Sequence, residues 1–348
     1  MCKKTPLFLQ FSNKPVGHEG CVIPTICCVL VMCVCMITAQ GAKAAGGCGS
    51  VCLPLDALNP DKTQLLKGQY RVGITSKYGE FDNYREGSDD LPNPGGNEAT
   101  ISQTTVFTDI GITKKLTASL LIPYINKKQK TNRFGTRVAN GVGDISVFGR
   151  YEIMSPKPTQ RSAVAMGLGL KFPTGSIDQP NDSQRLPPAF QVGSGAYDIV
   201  PTFSYIQNFN FYLVYAEFFA RIPLEENELG YKFGNEYELN TAVDFSLDRV
   251  LKGLSTSVGI SYLNAGYDND SAAILPARVR EGTKVLNTGG QFVDLVPGIT
   301  YGFGKTYHLQ AKFSIPIYEN WHGERSRNVG QVAPDLTAQI TFVYNGIM

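Results

Sequence analysis

Five acidic residues recur in one local pattern: an acid, then Ile or Leu, then an aromatic seven positions on. Asp144 leads to Tyr151, Asp198 to Tyr205, Glu238 to Phe245, Asp294 to Tyr301 and Asp335 to Phe342. Side chains alternate within each copy, so the unit is a β-strand with one polar and one apolar face. The acid stands on the polar face in every copy. Lys171, Arg221 and Lys312 fall on polar phases of nearby strands. Carboxylates and cations on the inner walls of one pore have two uses. They filter solutes by charge and size, or they fill a narrow polar interior as cross-strand ion pairs. Both readings stay open. Phe148, Tyr215, Phe219 and Phe292 share the inward phase, which suits either a path for small, partly apolar molecules or interior packing.

Other chemistry is poorly represented. A lipid hydrolase of the Ser–His type is disfavoured, because His308 and His322 lie at opposite ends of their segment and neither neighbours a nucleophile motif. The pattern offers no metal-ligand spacing, phosphate loop or CxxCH haem motif. The reading is therefore non-enzymatic, with no cofactor and no metal.

The elements that carry these residues are twelve strands near 68–80, 99–113, 115–126, 141–153, 161–173, 194–207, 210–223, 235–248, 251–266, 289–304, 306–318 and 331–345. In the third, Leu116, Ala118, Leu120, Ile122 and Tyr124 oppose Lys115, Thr117 and Ser119. Connections after even-numbered strands are tight, and those after odd-numbered strands are long and polar. That asymmetry is the pattern of bacterial outer-membrane barrels, with the short turns periplasmic. An even strand count lets the first and last strands pair, and closure leaves no open edge in hydrocarbon. Tyr205, Tyr301, Leu168 and Ile315 are expected to face lipid, and Thr202, Thr300 and Lys312 the lumen. Pro201 and Pro297 stand well inside their strands on the lipid phase, which points to a bulge or a wide pair there.

Residues 1–44 read as an export signal: Lys3, Lys4 and Lys14, then an uncharged apolar run Cys21–Ala39, then small residues around Ala42-Lys43-Ala44. Losing Lys3, Lys4, Lys14, Lys43 and Glu19 with that leader takes 32 basic and 30 acidic residues to 28 and 29. A near-neutral chain gives no reason to expect a nucleic-acid partner. All eight cysteines lie at or before Cys52, so no disulfide framework supports the strands. Residues 45–67 form a periplasmic tail whose Cys48 and Cys52 are bonded, free or lipidated, and 68–348 form the barrel. The expected fold is therefore all-β: a transmembrane antiparallel up-and-down barrel behind a signal peptide. Its partners would be outer-membrane lipid, a small solute and the outer-membrane assembly machinery. The function expected is a porin-like channel for passive uptake. A barrel that docks periplasmic partners, such as electron-transfer proteins, through the Cys48/Cys52 tail is the alternative from another class.

Gly141-Val142-Gly143-Asp144 entering a strand, LKFPTG at 170–175, and Gly193-Ser194-Gly195 ahead of Asp198 resemble the family labelled MetA-pathway of phenol degradation. The resemblance spans residues 68–345. It implies an outer-membrane barrel tied to breakdown of aromatic compounds, a channel-like role and no catalytic residues. One departure is the end of the chain, Tyr344-Asn345-Gly346-Ile347-Met348, where many such barrels carry a terminal aromatic.

Overall fold

The computed structural model describes residues 65–347, save 133–134, 156–160, 182–183, 210 and 305. The leader 1–44 and the tail cysteines Cys48 and Cys52 lie outside the described residues. All described residues belong to one compact unit, Gly41–Met348.

Twelve long strands form the barrel wall. They are β1 (Gln69–Phe81), β2 (Glu98–Gly111), β3 (Leu116–Thr131), β4 (Ser146–Met154), β5 (Ser162–Lys171) and β6 (Asp198–Asn208). The second half comprises β7 (Tyr212–Pro223), β8 (Glu236–Ser246), β9 (Leu254–Ala265), β10 (Gly290–Phe303), β11 (Tyr307–Trp321) and β12 (Thr337–Ile347). Each pairs antiparallel with its sequence neighbours, and β1 pairs with β12 from Gln69↔Ile347 to Gly79↔Thr337. The sheet has no open edge, which lipid requires of any spanning sheet.

Alternation sets the two faces. On β12, Gln339, Thr341 and Val343 point inward, with Thr341 1% and Val343 0% exposed, while Ile340 and Phe342 stand 48% and 40% exposed outside. Leu168, Tyr205 and Ile315 are exposed on the outer face, and Lys312 is buried inside. An outer face this apolar on all strands but β2, where Thr100, Ser102, Thr104 and Thr108 stand outward beside Val106 and Ile110, is a lipid-facing belt. Aromatic rings collect at its short-turn end, with Tyr307 against Tyr344 at 5.4 Å and Phe209 stacked on Tyr212 at 4.6 Å. Such girdles mark the membrane–water boundary. Phe342 and Tyr344 stand in this girdle a few residues before the chain end.

The ladder explains the two inner prolines without a bulge at either. Pro201 keeps its partner Leu168 on β5, but pairing to β7 lapses between Ile199↔Ile222 and Thr202↔Phe219. Pro297 likewise keeps Val258 on β9 while pairing to β11 lapses between Leu295↔Ile315 and Gly298↔Lys312. The register is unchanged across both gaps, so each proline's missing donor falls where no bond is made.

Several strands begin later than their sequence pattern suggests, the sixth at Asp198 and the ninth at Leu254 among them, and two of the delays have a visible cause. The stretch expected as one strand over 141–153 is broken at 143–145. Gly135–Val142 forms a ribbon on the outer part of β3, and β4 starts at Ser146. In the last strand, Gln331–Ala333 leaves the wall to pair with Asn83–Arg85 of the first long loop. Pro334 then ends that ladder, and β12 starts at Thr337. The long loops carry sheets of their own. Segments Tyr231–Lys232, Asn269–Asp270, Lys284–Val285 and Arg280–Glu281 make a four-stranded sheet above the barrel.

Candidate functional site

The acids of the repeat do not form one ring. Asp144 lies in the break before β4 and acts as a clamp on the loop 172–197. Its carboxylate accepts from Gly175 N at 3.0 Å, Ser194 N at 2.9 Å, Ser194 Oγ at 2.7 Å and Lys171 Nζ at 2.8 Å. The two ends of the loop touch there. A Cβ on Gly193 would lie 2.1 Å from the Gly175 carbonyl oxygen, so the crossing requires glycine at both positions. Above the clamp the loop folds over inward-facing residues of β3. Lys127 donates to the carbonyls of Ala189 at 3.0 Å and Gln191 at 2.7 Å, and Ile125 packs with Leu186 and Val192.

From the clamp an ion ladder runs along the inner wall. Lys171 is 3.1 Å from Asp198, Arg221 is 3.2 Å from Asp198, and Arg221 is 2.7 Å from Glu236. Cross-strand pairing aligns them, with Asp198 beside Lys171 on β5 and Arg221 beside Glu236 on β8. Asp198 is 0% exposed. Charges paired this closely and kept from water are wall structure, and removing any one leaves its partner buried and uncompensated.

Below the ladder, towards the short turns, the same side of the lumen is apolar. Phe107, Leu121, Phe148, Val200, Phe219 and Val343 form one buried cluster. Phe148 and Phe219 thus pack across the lumen. Beneath them Arg71 pairs with Asp109 at 3.4 Å. Arg150 and Glu217 join that pair around a cavity of about 10 Å³, room for one water. Leu65, just before β1, reaches into it.

The open volume lies against the other wall. A cavity of about 170 Å³ is bounded by β1, β2 and β7–β12. Glu238, Asp294, Lys312, Tyr215 and Phe292 line it, together with Lys77, Trp321, Phe81, Glu319 and Gln339. Lys77 and Lys312 both pair across to Gln339, so three donors stand in one row. Glu238 accepts from Asn240 Nδ2 at 2.9 Å and from Ser261 Oγ at 3.3 Å. Asp294 faces the same space one register step away, opposite Ser261. Asp335 stands apart at the outer rim, exposed, and accepts from Asn83 Nδ2 at 2.6 Å.

The structure thus divides the residues singled out in the sequence. Asp144, Asp198, Lys171 and Arg221 make the ladder, whereas Glu238, Asp294 and Lys312 line the cavity. Lys77 and Gln339 were legible from strand phase alone. Trp321 and Glu319 were not, because a bulge shifts their phase. The partner of Val293 on β11 is Tyr318 and that of Asp294 is Pro316, so Ile317 is an extra residue.

Loop chemistry above the barrel adds a titratable group. Asp268 accepts from Tyr231 Oη at 2.6 Å and Gly234 N at 2.8 Å. Burial pushes its carboxyl up to about 7, against the lowering effect of those two hydrogen bonds and of Arg221. His322 stacks on Tyr267 at 3.7 Å, and burial lowers its pKa.

Among curated proteins none matches this chain in sequence. An outer membrane channel of Pseudomonas putida F1 shares the fold at TM-score 0.62 and 12% identity, over 82% of this chain and 98% of that one. The β domain of a Bordetella autotransporter aligns at TM-score 0.44 and 10% identity, over 81% and 100% of the two chains. The toluene transporter TodX of P. putida aligns at 0.40 and 10%, over 80% and 90%. The latter two likenesses are too loose to carry an argument. The family model described as MetA-pathway of phenol degradation matches residues 95–320, a span holding the glycine-rich segments that meet at the Asp144 clamp, and the chain belongs to that family.

Proposed function

We propose that the protein is an outer-membrane channel for passive uptake of small solutes, with aromatic or other hydrophobic compounds as the substrate class. The observation that carries this reading is the cavity of about 170 Å³ inside a closed, lipid-belted barrel, with aromatic rings and charges of both signs on its walls. A wall of that kind passes small molecules with an apolar body and a polar group, where a wide polar pore passes salts and sugars without preference. The family's link to phenol breakdown, and the channel named for the P. putida relative of like fold, support the same reading. A hydrolytic role has little support. His322 is held in a loop by Tyr267 and the Thr288 carbonyl, while His308 sits beside Gly302 at the short-turn end.

The solute path runs past Lys77, Lys312, Glu238 and Asp294, which line the open volume, whereas the apolar cluster fills the lumen beside β3, β4 and β6. The ion ladder and the Asp144 clamp hold the loop 172–197 at the mouth. We further propose that residues 1–44 are the export signal and 45–67 a periplasmic tail. Planar-bilayer recording of the purified barrel tests the channel reading. Discrete conductance steps are expected, and a silent barrel that co-purifies with periplasmic proteins would favour the docking role instead.

A further inference from the structure

The outer end of β11 carries a feature that the ladder does not need. Ile317 is inserted opposite Val293, so Ile317 and Tyr318 both face outward, 58% and 49% exposed. Without that bulge, Tyr318 and Asn320 would point into the lumen and Trp321 at lipid. With it, Glu319 and Trp321 turn inward, and Trp321 is only 3% exposed. Bulges commonly re-aim side chains in this way beside functional sites.

The re-aimed indole is then fixed on several sides. Its Nε1 donates to Glu319 Oε1 at 3.1 Å, and Glu319 is ion-paired with Arg85 of the first loop. Its backbone is bonded both ways to Gly87, at 2.7 and 2.9 Å. Phe292 meets it at 4.4 Å between ring centroids and 58° between planes. Gly290 has φ +148, and a Cβ there would come within 2.7 Å of the Phe292 ring, so glycine is needed for that ring to lie where it does. Phe81 closes the same wall, 1% exposed. Rigid tilted rings beside an open volume present faces and edges to a further ring.

Size and charge narrow what fits. About 170 Å³ is close to the ~150 Å³ of an apolar cavity that holds benzene, so there is room for one six-membered ring with a small substituent. Around it Lys77, Lys312 and the paired Arg85 balance Glu238, Asp294 and Glu319. A ring with net charge would upset that balance inside a wall of low dielectric constant. A neutral ring with one hydrogen-bonding group would not, and the Lys77–Gln339–Lys312 row on one side and Glu238 on the other offer it donors and an acceptor.

We propose that Phe292, Trp321 and Phe81 form a binding subsite for one uncharged aromatic ring bearing a hydroxyl or amide group, built by the bulge at Ile317. The proposal rests on the reading of this side of the lumen as the solute path and adds to it a saturable stop on the way. Trp321 is the chain's single tryptophan, so its fluorescence reports the subsite without any transport assay. Full-length barrel in detergent would be titrated with benzyl alcohol, cyclohexylmethanol, benzoate and benzylammonium. Benzyl alcohol should give a saturable change, with each of the other three roughly tenfold weaker. Phe292→Leu, which keeps an apolar side chain and loses the ring, should weaken benzyl alcohol by a similar factor.

A linear response that is the same in Phe292→Leu would show mere partition into the micelle and overturn the subsite. Equal binding of cyclohexylmethanol would overturn the aromatic preference, and equal binding of either ion the charge argument. If Phe292→Leu does not fold, the four-ligand comparison on the unaltered protein decides alone. A barrel that conducts but gives no saturable signal refutes the subsite only. A saturable signal from a barrel silent in bilayers refutes the channel and leaves the subsite standing.

Discussion

Replacing Asp144 by Ala should release the loop 172–197 without opening the wall. The carboxylate now satisfies two backbone donors, Gly175 N and Ser194 N, and also takes Ser194 Oγ and Lys171 Nζ. Its loss orphans both amides in a site where Asp144 is 8% exposed, at about 1–3 kcal/mol for each group left buried without a partner. Lys171 keeps Asp198 at 3.1 Å, so the charge is weakened and not abandoned. A total of about 3–5 kcal/mol follows, the usual range for breaking a buried pair. The loop-opening equilibrium should then shift by a factor of roughly 10² to a few thousand. Amide hydrogen exchange at Gly175 and Ser194 reads that factor directly, and proteolysis within 172–197 should quicken in parallel. Amides of mid-strand residues such as Thr341 should keep their protection. If Gly175 and Ser194 exchange within tenfold of the unaltered protein, Asp144 is not the clamp.

Leu168 stands 56% exposed on the lipid face. Arg in its place should cost about 2–4 kcal/mol near the midplane, and Arg at Asn240, which faces the cavity, much less, as read by urea unfolding in vesicles. Gly167 is a poor inward control, because a Cβ there would meet Thr202 Oγ1 at 2.4 Å. Asp294→Asn should shift reversal potentials towards anions, more at 0.01 M salt, where the Debye length is about 30 Å, than at 1 M, where it is about 3 Å. Asp198→Asn, by contrast, should lower stability by about 3–5 kcal/mol, because it leaves Lys171 and Arg221 facing a neutral group in a buried ladder. Asp268 has its carboxyl raised from the ordinary 3.8 to about 7 in the folded loops. A raised acid binds its proton more tightly when folded, so its contribution is complete below about pH 4 and lost as pH climbs through about 7. Protection of the Tyr231 and Gly234 amides should fall over that window, and Asp268→Asn should remove the fall.

The barrel was legible in the sequence because both of its signals are local. Alternation in stretches such as 116–124 and 337–344 sets the faces, and short turns against long loops set the two ends. Lipid then enforces closure, so a count of twelve implies the ladder between β1 and β12. The site was legible only in part. Inward phase follows from alternation, and it places Asp198, Glu238, Asp294, Lys171, Arg221 and Lys312 inside. Which of them share a structure depends on neighbours across strands and on the stagger of the barrel, which phase does not carry. Asp144 and Asp198 therefore joined cations in the wall, while Glu238 and Asp294 faced open space. Asp335 fell at the rim because Gln331–Ala333 found a partner in the first loop. Trp321 was hidden for a further reason: one inserted residue, Ile317, reverses the phase of all that follows it in the strand.

The central claim is that solutes pass through the lumen along the face that holds Ser261. Cysteine accessibility under voltage clamp tests it most directly, with Cys48 and Cys52 first changed to Ser. Ser261 points inward, its Oγ donating to Glu238 at 3.3 Å, while its neighbour Ile260 stands 39% exposed on the outer face. A charged, membrane-impermeant thiol reagent added to an open Ser261→Cys channel should cut its current stepwise, and the same reagent should leave Ile260→Cys unchanged. Equal effects at the two sites, or a current untouched by reaction at Ser261→Cys, would contradict a conducting path along this wall.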